Sequence, residues 1–344
     1  MAFITLDNGR IIGDFSNPYI VAELNTSHFG NISIAKDMIY KAKECGCDCV
    51  KLQSWTAESL HSNSYYKSNK MAKRFYEKFS LSQYEILELL NFSKDISIDI
   101  SSTPYSIKEA KFLSNQKNIP FIKIASMEIN NYRYLEQLGK LGKPLILSTG
   151  MSSLDEISKA VSIIEKTNNK KIIILHCVSI YPLKEELTNL NNILGLRDKF
   201  PQYPIGFSDH TEGISVPTAS IALGACLVEK HFTLNNEKIG LDNQMATEPK
   251  LMTQIVTNCR EVYLSLGNKK RTISEEEINQ RLKMRRSLIS KKSMKKGQII
   301  TEDDILIKRP GDGIPPSEIK NILGRILNKD IEEEEKFSWD MINN

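Results

Sequence analysis

The feature that most constrains the fold is a regular alternation of short apolar runs with segments of helical periodicity. Most of the runs are near-continuous hydrophobics, as expected of strands that are buried on both faces. Eight such runs occur, at Tyr19–Leu24, Asp48–Gln53, Ile96–Ser102, Phe121–Ser126, Leu145–Ser148, Ile172–Cys177, Ile205–Phe207 and Cys226–Lys230. Helical spacing marks the segments Ile32–Cys45, Ser82–Ser93, Ser153–Lys166, Val216–Gly224 and Pro249–Leu266.

Two folds accommodate this alternation of strands and helices. Eight strands with intervening helices over roughly 250 residues predict a (β/α)8 barrel. A doubly wound open sheet is the competing fold, but the sequence contains no glycine-rich dinucleotide fingerprint that would support it. We therefore expect an α/β chain built on a TIM barrel.

The ends of the chain differ from this central pattern. Residues 2–14 alternate and turn at Asn8-Gly9, which predicts a β-hairpin. We place the barrel domain at 1–266 and a polar linker at 267–285. Residues 286–344 have short runs and Gly- and Pro-rich turns, which predict a small, mostly β domain. A domain of about 60 residues is marginal for independent stability.

Composition excludes several classes of protein. The net charge of +4 comes from 46 basic and 42 acidic residues without a basic stripe, so we expect no nucleic-acid partner. No window approaches a membrane span of about 20 apolar residues, and no signal peptide is evident. The six cysteines, three of them in the pattern Cys-x-Cys-x-Cys from Cys45, are interpreted as reduced thiols of a cytoplasmic protein. A metal site at that pattern is the alternative.

Polar residues cluster where the predicted strands end. In a parallel barrel, the carboxyl ends of the strands carry the catalytic groups. Folding alone does not explain polar side chains at all eight ends. The candidates, in strand order, are Glu23; Lys51 and Gln53; Thr103; Lys123, Ser126 and Glu128; Ser148; Ser179 and Tyr181; Ser208 and His210; and Glu229 with His231.

His210 and His231 fall at the ends of consecutive predicted strands. Adjacent strands are about 5 Å apart, so the two imidazoles can share a divalent cation. Oxygen ligands and water completing such a site favour Mn²⁺ or Mg²⁺ over Zn²⁺. The alternative is that each histidine caps a loop or forms a local hydrogen bond.

Lys51 and Lys123 lie within apolar runs, where a lysine is costly unless it meets an anion. One interpretation is a structural ion pair with Glu23 or Glu128. The other is that the lysines hold a substrate carboxylate and phosphate. Hydroxyl groups near the same strand ends would then add donors around the anion, namely those of Thr103, Ser126, Ser148, Ser179 and Ser208.

Distinctive motifs occur in order over nearly the whole chain. In the barrel they are Ala22-Glu-Leu-Asn-Thr-Ser-His-Phe-Gly, Val50-Lys-Leu-Gln, Ser102-Thr-Pro-Tyr, Ile122-Lys-Ile-Ala-Ser-Met-Glu, Ile146-Leu-Ser-Thr-Gly-Met, Leu175-His-Cys-Val-Ser-Ile-Tyr-Pro, Gly206-Phe-Ser-Asp-His-Thr and Glu229-Lys-His-Phe-Thr. In the tail they are Lys295-Lys-Gly, Lys308-Arg-Pro-Gly-Asp-Gly and Ile314-Pro-Pro. The barrel motifs resemble the sialic acid synthase family, and the tail resembles the antifreeze-like (SAF) domain of that family.

The resemblance implies a role for each matching residue. It implies that His210 and His231 bind the metal and that Glu23 and Glu128 are active-site acids. It implies that Arg309 contacts the N-acyl group of the sugar from the partner subunit of a domain-swapped homodimer. The implied contacts of phosphoenolpyruvate are Lys51 and Thr103 for the carboxylate, and Lys123, Ser126, Ser148 and Ser208 for the phosphate. Tyr181 and Asp242 match residues that line the sugar pocket.

Three pocket positions depart from the family pattern and leave the sugar open. They are Ser27-His28 in place of Asn-His, Ser179 in place of Asn, and Gln53-Ser-Trp in place of Gln-Thr-His. The loop after His231 also reads Gly240-Leu-Asp-Asn-Gln-Met.

The implied reaction condenses phosphoenolpyruvate with N-acetylmannosamine or a related N-acyl amino sugar. A diacetamido-trideoxyhexose, the substrate of a pseudaminic or legionaminic acid synthase, is the alternative acceptor. The rival functions are a synthase acting on a sugar phosphate, a Schiff-base aldolase using Lys51 or Lys123, and a non-enzymatic sugar- or ice-binding protein.

Overall fold

The computed structural model describes residues 1–343. The chain divides into two compact units, Met1–Leu266 and Gly267–Asn344. Within the described residues, no helix is long and apolar enough to cross a membrane.

The first unit is a closed parallel barrel, which confirms the predicted fold class. Strands β3 to β10 follow one another around the barrel, and β10 pairs with β3 to close it. The bounds in this unit are β1 Phe3–Thr5, β2 Ile11–Gly13, β3 Tyr19–Glu23, β4 Cys49–Ser54, β5 Asp99–Pro104, β6 Ile122–Ile124, β7 Leu145–Ser148, β8 Ile172–Cys177, β9 Ile205–Asp209 and β10 Leu227–His231.

Helices surround the barrel and bury their apolar faces against it. Helices α5 and α8 each begin with a capping box, formed by Ser82 with Glu85 and by Ser153 with Glu156, which satisfies free backbone N–H groups at the helix start. The helices of this unit are α1 Ile32–Glu44, α2 Ala57–Leu60, α3 Asn63–Ser68, α4 Lys70–Phe79, α5 Gln83–Asp95, α6 Ile107–Ser114, α7 Tyr132–Gly139, α8 Leu154–Glu165, α9 Asn192–Lys199, α10 Ser215–Ala222 and α11 Pro249–Ser265.

The N-terminal hairpin fills the lower end of the barrel. Strands β1 and β2 are antiparallel, with Ile4 opposite Ile12. These two side chains and Leu6 pack in one buried cluster with residues from the amino ends of the barrel strands, including Tyr19 and Phe121. Apolar side chains therefore fill the barrel at the amino ends of its strands. The polar side chains lie at the carboxyl ends, which form the mouth of the barrel.

The connection between β4 and α5 contains three short helices, α2 to α4, that the apolar pattern did not predict. The helices of this connection pack against one another through aromatic rings. The ring centroids of His61 and Tyr76, for example, are 4.9 Å apart. This segment contributes side chains to the barrel mouth.

The six cysteines are all free and buried. Cys45 follows helix α1 and Cys49 opens strand β4, so the three closely spaced cysteines do not share one strand.

The second unit contains a two-stranded antiparallel sheet. Its elements are α12 Glu275–Met284, β11 Ser287–Ser290, β12 Ile305–Lys308 and α13 Ile319–Ile322. Leu288, Ile300 and Phe337 lie in its own hydrophobic core. Helix α12 lies within the segment that we interpreted as a linker, and Ser274 caps it by accepting from the backbone N–H of Glu277.

Candidate active site

A cavity of about 430 Å³ opens at the carboxyl ends of the barrel strands. Such a volume lies in the range of small-molecule sites. The structure brings together fourteen of the sixteen candidate residues in its lining, namely Glu23, Lys51, Gln53, Thr103, Lys123, Ser126, Ser148, Ser179, Tyr181, Ser208, His210, Glu229, His231 and Asp242. Glu128 and Arg309 are not among the lining residues.

Two buried lysines and two buried glutamates form the charged floor of this cavity. Lys51 is ion-paired with Glu23, and Lys123 Nζ lies 3.3 Å from Glu229 Oε1. A contact of 3.8 Å between Lys51 Nζ and Glu229 Oε1 joins the two pairs. We call these four residues the charged floor. The ion pair expected between Lys51 and Glu23 is present, and Lys123 pairs with Glu229 and not with Glu128.

Burial and neighbouring charges set the protonation of the charged floor. Burial raises the pKa of Glu23, in opposition to the nearby charge of Lys51. Burial also works to raise the pKa of Glu229, but Lys123 and Lys51 outweigh it, and the pKa falls below its usual value. The pKa of Lys51 is raised, because Glu229 and Glu23 overcome its burial. Lys51 is therefore held as a cation.

Strand β4 arranges Lys51 and Gln53 on the barrel side, since alternate residues of a strand share a face. Lys51 Nζ donates to Thr103 Oγ1 at 2.9 Å. Gln53 Nε2 donates to Glu23 Oε1 at 3.0 Å. These bonds fix the inner face of β4 against β3 and β5.

Hydroxyl groups border the lysines. The buried hydroxyl of Ser148 has no hydrogen-bond partner, and Ser126 Oγ accepts from the backbone N–H of Gly150 at 3.0 Å. Gly150 permits this close approach, because a Cβ there would lie 2.9 Å from Ser126 Oγ and only 2.1 Å from Ser179 Oγ. The unpartnered hydroxyl of Ser148 can donate to an anionic oxygen.

The two predicted metal ligands meet at the mouth. The ring centroids of His210 and His231 are 5.4 Å apart, and the ring of Tyr181 lies 4.3 Å from that of His210. His210 Nδ1 donates to the carbonyl of Val178 at 2.7 Å, which leaves Nε2 free of that bond. His231 Nδ1 is buried without a partner, and burial together with the charge of His210 holds the pKa of His231 well below its usual value.

A neutral, unpartnered imidazole nitrogen beside a second imidazole fits a divalent cation. Within residues 1–343, no group of three or more His, Cys, Asp or Glu side chains is arranged to hold a metal. An ion at His210 and His231 would therefore take its remaining ligands from water or substrate.

A buried ion pair lies behind the histidines. Lys230 Nζ is 2.7 Å from Asp209 Oδ2, and both side chains are almost fully buried. Asp209 Oδ1 accepts from the backbone N–H and the hydroxyl of Thr211 at 2.9 and 2.8 Å. Each member of the pair directly precedes one histidine, so the pair ties the carboxyl ends of β9 and β10 together.

The remaining predicted residues lie at or beyond the edge of the cavity. Asp242 accepts from the side chain of Asn25, and burial raises the pKa of Asp242. Glu128 lies on a short turn after β6 and accepts from Asn131 Nδ2 at 2.7 Å. Arg309 is exposed in the second unit, one residue after β12.

Glu229 was among the candidates at the strand ends, but the sequence assigned it no role. It lies two residues before His231 and therefore faces the same side of β10. Several other lining residues were missed. The aromatic residues had no such signal, because their connection lacks a regular apolar period. The missed residues are Asn25, Trp55, Leu60, His61, Tyr76, Tyr105, Ala125, Met127, Met151, Cys177 and Leu241.

Comparison with known proteins agrees with this fold. Residues 38–271 match the NeuB family, and residues 285–343 match the SAF domain. The N,N'-diacetyllegionaminic acid synthase of Legionella pneumophila is 34% identical over 339 residues, covering 94% of each chain. Human N-acetylneuraminate-9-phosphate synthase is 32% identical over 347 residues, covering 98% of this chain and 96% of the relative.

A solved structure has the same architecture. The crystal structure of N-acetylneuraminic acid (sialic acid) synthetase from Leptospira borgpetersenii, in complex with citrate, superposes with a TM-score of 0.74 at 33% identity, covering 81% of this chain and 94% of that chain. Barrel, cavity and relatives together define a synthase of carbohydrate biosynthesis. The chain belongs to the NeuB family of sialic, legionaminic and pseudaminic acid synthases and carries a C-terminal SAF domain, as its motifs predicted.

The pair behind the histidines generates a stability prediction. Lys230→Met should lower the free energy of unfolding by about 3–5 kcal/mol, because it leaves the Asp209 carboxylate buried without its partner. The double variant Asp209→Asn/Lys230→Met should regain most of that loss, since the introduced amide carries no charge and keeps an acceptor oxygen for Thr211. Urea unfolding of the purified chains measures both.

The matched control is Lys140→Met, which removes a lysine from the solvent-exposed pair with Glu136. That change should shift the unfolding free energy by less than about 1 kcal/mol. Equal effects of Lys230→Met and Lys140→Met would contradict a structural role for the buried pair.

Proposed function

We propose that this protein condenses phosphoenolpyruvate with an open-chain N-acyl amino sugar, such as N-acetylmannosamine or a related sugar. The products are a nine-carbon 2-keto acid and phosphate, formed with cleavage of the C2–O bond. The observation that carries the proposal is the charged floor beside the two histidines, in a barrel of the NeuB family.

Phosphoenolpyruvate fits the cationic side of the charged floor. The contacts of Lys123 within the described chain occupy one of its three N–H donors, so two are available to a phosphate. Lys51 uses two donors, on Glu23 and Thr103, and the third can meet a carboxylate. The proposed phosphate contacts are Lys123 with the hydroxyls of Ser126, Ser148 and Ser208.

The sugar would lie above phosphoenolpyruvate, toward the mouth of the cavity. His210 and His231 would hold Mn²⁺ or Mg²⁺, which when bound polarises the aldehyde oxygen of the sugar. Tyr181 and Asp242 also line the cavity, with the Tyr181 ring beside both histidines, and would contact sugar hydroxyls. Holding the two substrates face to face removes an entropic barrier of roughly 7–11 kcal/mol in favourable cases.

The proposed reaction forms one carbon–carbon bond and breaks the C2–O bond of phosphoenolpyruvate. C3 of phosphoenolpyruvate forms a bond to the aldehyde carbon, and positive charge develops at C2. Water adds to C2 and gives up one proton, and the aldehyde oxygen takes up a proton to become a hydroxyl. The C2–O bond to phosphate then breaks, and the remaining proton of that water passes to the phosphate as the ketone forms. Of the two predicted acids, Glu23 lines the cavity and Glu128 does not, and the raised pKa of Glu23 favours proton acceptance at this step. Glu128 is the alternative base, and its bond to Asn131 would have to break first.

Two rival functions are disfavoured by particular observations. A Schiff-base aldolase needs a neutral amine, whereas Lys51 and Lys123 are both ion-paired and the pKa of Lys51 is raised. A sugar phosphate would need a further cationic cluster. In the described part of the chain, the cavity lining includes these two lysines and no arginine.

The reaction is tested with phosphoenolpyruvate labelled with oxygen-18 in the C2–O–P bridge. We expect phosphate release that depends on the sugar, with the label in phosphate, because water supplies the new oxygen at C2. Excess chelator should abolish release, and Mn²⁺ or Mg²⁺ should restore it. Label retained in the sugar acid would contradict C–O cleavage, and full activity in chelator would contradict the metal role.

The final element of the proposal is a domain-swapped homodimer that shares Arg309. It rests on the family resemblance and on the exposure of Arg309, whose guanidinium offers several donors to an N-acyl carbonyl. Mixed dimers of His210→Ala and Arg309→Ala chains should recover about a quarter to a half of wild-type activity, since some sites unite an intact barrel with an intact tail. No recovery after proven subunit exchange would contradict sharing in trans.

A further inference from the structure

One side of the cavity is lined by aromatic rings that the proposed reaction does not use. Trp55 follows β4, Tyr105 follows β5, and His61 and Tyr76 come from the connection that contains α2 to α4. The ring of Trp55 lies 6.4 Å from Tyr76 and 5.9 Å from Tyr105, and that of His61 lies 4.9 Å from Tyr76. We call these four residues the aromatic wall.

The indole of Trp55 is an unsatisfied donor. The residue is 4% exposed, and its buried Nε1 has no hydrogen-bond partner within the described chain. A buried tryptophan N–H usually finds a partner, because leaving it unpaired forfeits the hydrogen bond that it made to water. A ligand amide carbonyl can supply that partner.

The position of Trp55 indicates which part of a substrate it meets. Lys51, Gln53 and Trp55 are alternate residues that run from the charged floor toward the mouth, and all three line the cavity. In the proposed function, the charged floor binds phosphoenolpyruvate, and the sugar aldehyde lies next to the two histidines. The aromatic wall would therefore contact the end of the sugar that is farthest from its aldehyde.

The chemistry of the aromatic wall favours an apolar, acylated sugar end. Ring faces pack well against methyl groups and planar amides, and an amide carbonyl can also accept from the indole N–H of Trp55. The aromatic wall contains no lysine or arginine that could pair with a sugar phosphate.

We propose that the aromatic wall is a subsite for a second N-acyl group and a deoxy methyl group. The acceptor would then be a doubly N-acylated 6-deoxyhexose, with its distal acyl carbonyl accepting from Trp55 Nε1. This proposal rests on the proposed condensation and specifies its sugar.

The identity of the acceptor sugar is tested by measuring phosphate release by the full chain in the presence of phosphoenolpyruvate and Mn²⁺. The acceptors are 2,4-diacetamido-2,4,6-trideoxymannose, N-acetylmannosamine and N-acetylmannosamine 6-phosphate. We expect kcat/KM for the first to exceed the second at least about tenfold. Equal or greater kcat/KM for either of the others would overturn the subsite while leaving the condensation intact. Release with none of the three would overturn the condensation itself.

The variant Trp55→Phe keeps a ring and removes the donor. The ratio of kcat/KM for the diacetamido sugar to that for N-acetylmannosamine should fall about fivefold or more, mainly through KM. The matched control is Trp339→Phe, which makes the same change at the only other tryptophan, a half-exposed residue of the second unit. A ratio that stays within about twofold in Trp55→Phe would contradict the proposed bond.

A binding measurement covers the case in which Trp55→Phe does not fold. In Trp339→Phe, Trp55 is the sole tryptophan and reports on its own surroundings by fluorescence. The reduced, unreactive alditol of the diacetamido sugar should change its emission saturably, at a concentration at least about tenfold lower than the alditol of N-acetylmannosamine. No saturable change, or the reverse order, would contradict the subsite.

Discussion

The rest of the site depends on mutual compensation among the four buried charges of the floor. Each of these ions alone would cost several kcal/mol to bury, because the barrel interior cannot replace its hydration. Lys51 with Glu23 and Lys123 with Glu229 offset one another, and the contact between Lys51 and Glu229 links the pairs. Lys51 thus remains cationic inside the barrel, and both lysines keep donors for a substrate anion.

The barrel architecture makes this compensation possible. Lys51 lies directly beside Glu23 in the register of β3 and β4, and Glu229 belongs to β10, which closes the barrel on the other side of β3. The N-terminal hairpin packs the opposite end with apolar side chains, which limits water from below. His210 and His231 lie beyond the charged floor, at the carboxyl ends of β9 and β10. The ion pair between Asp209 and Lys230 joins the two strands there.

Much of this could be predicted from the sequence, because strong local patterns specify it. Apolar runs marked the strands to within a few residues, and Ser153 with Glu156 marked the start of α8. A lysine inside an apolar run implies an anionic partner on physical grounds, and Lys51 proved to have Glu23. Strand ends predicted most of the cavity lining, because alternation along a strand determines which side chains face inward.

The parts that could not be predicted depend on contacts between distant segments. The connection holding His61 and Tyr76 has no regular apolar period, and its helices are held by ring packing that no local pattern reveals. Glu128 has the spacing of a site residue, yet it bonds to Asn131 at the start of α7. Ser274 caps helix α12, but the polar character of its surroundings favoured a linker over a helix.

The claim that the charged floor exists to hold phosphoenolpyruvate is tested most directly by calorimetric titration of a neutralised pair. Lys123→Met/Glu229→Gln removes both charges together and so avoids an uncompensated ion, and Lys140→Met/Glu136→Gln is the matched surface pair. If Lys123 donates to the bound anion, the barrel variant should bind phosphoenolpyruvate at least about tenfold more weakly, as expected for the loss of a charged hydrogen bond, while the surface variant binds as wild type. An unchanged Kd in a folded Lys123→Met/Glu229→Gln protein would contradict the account.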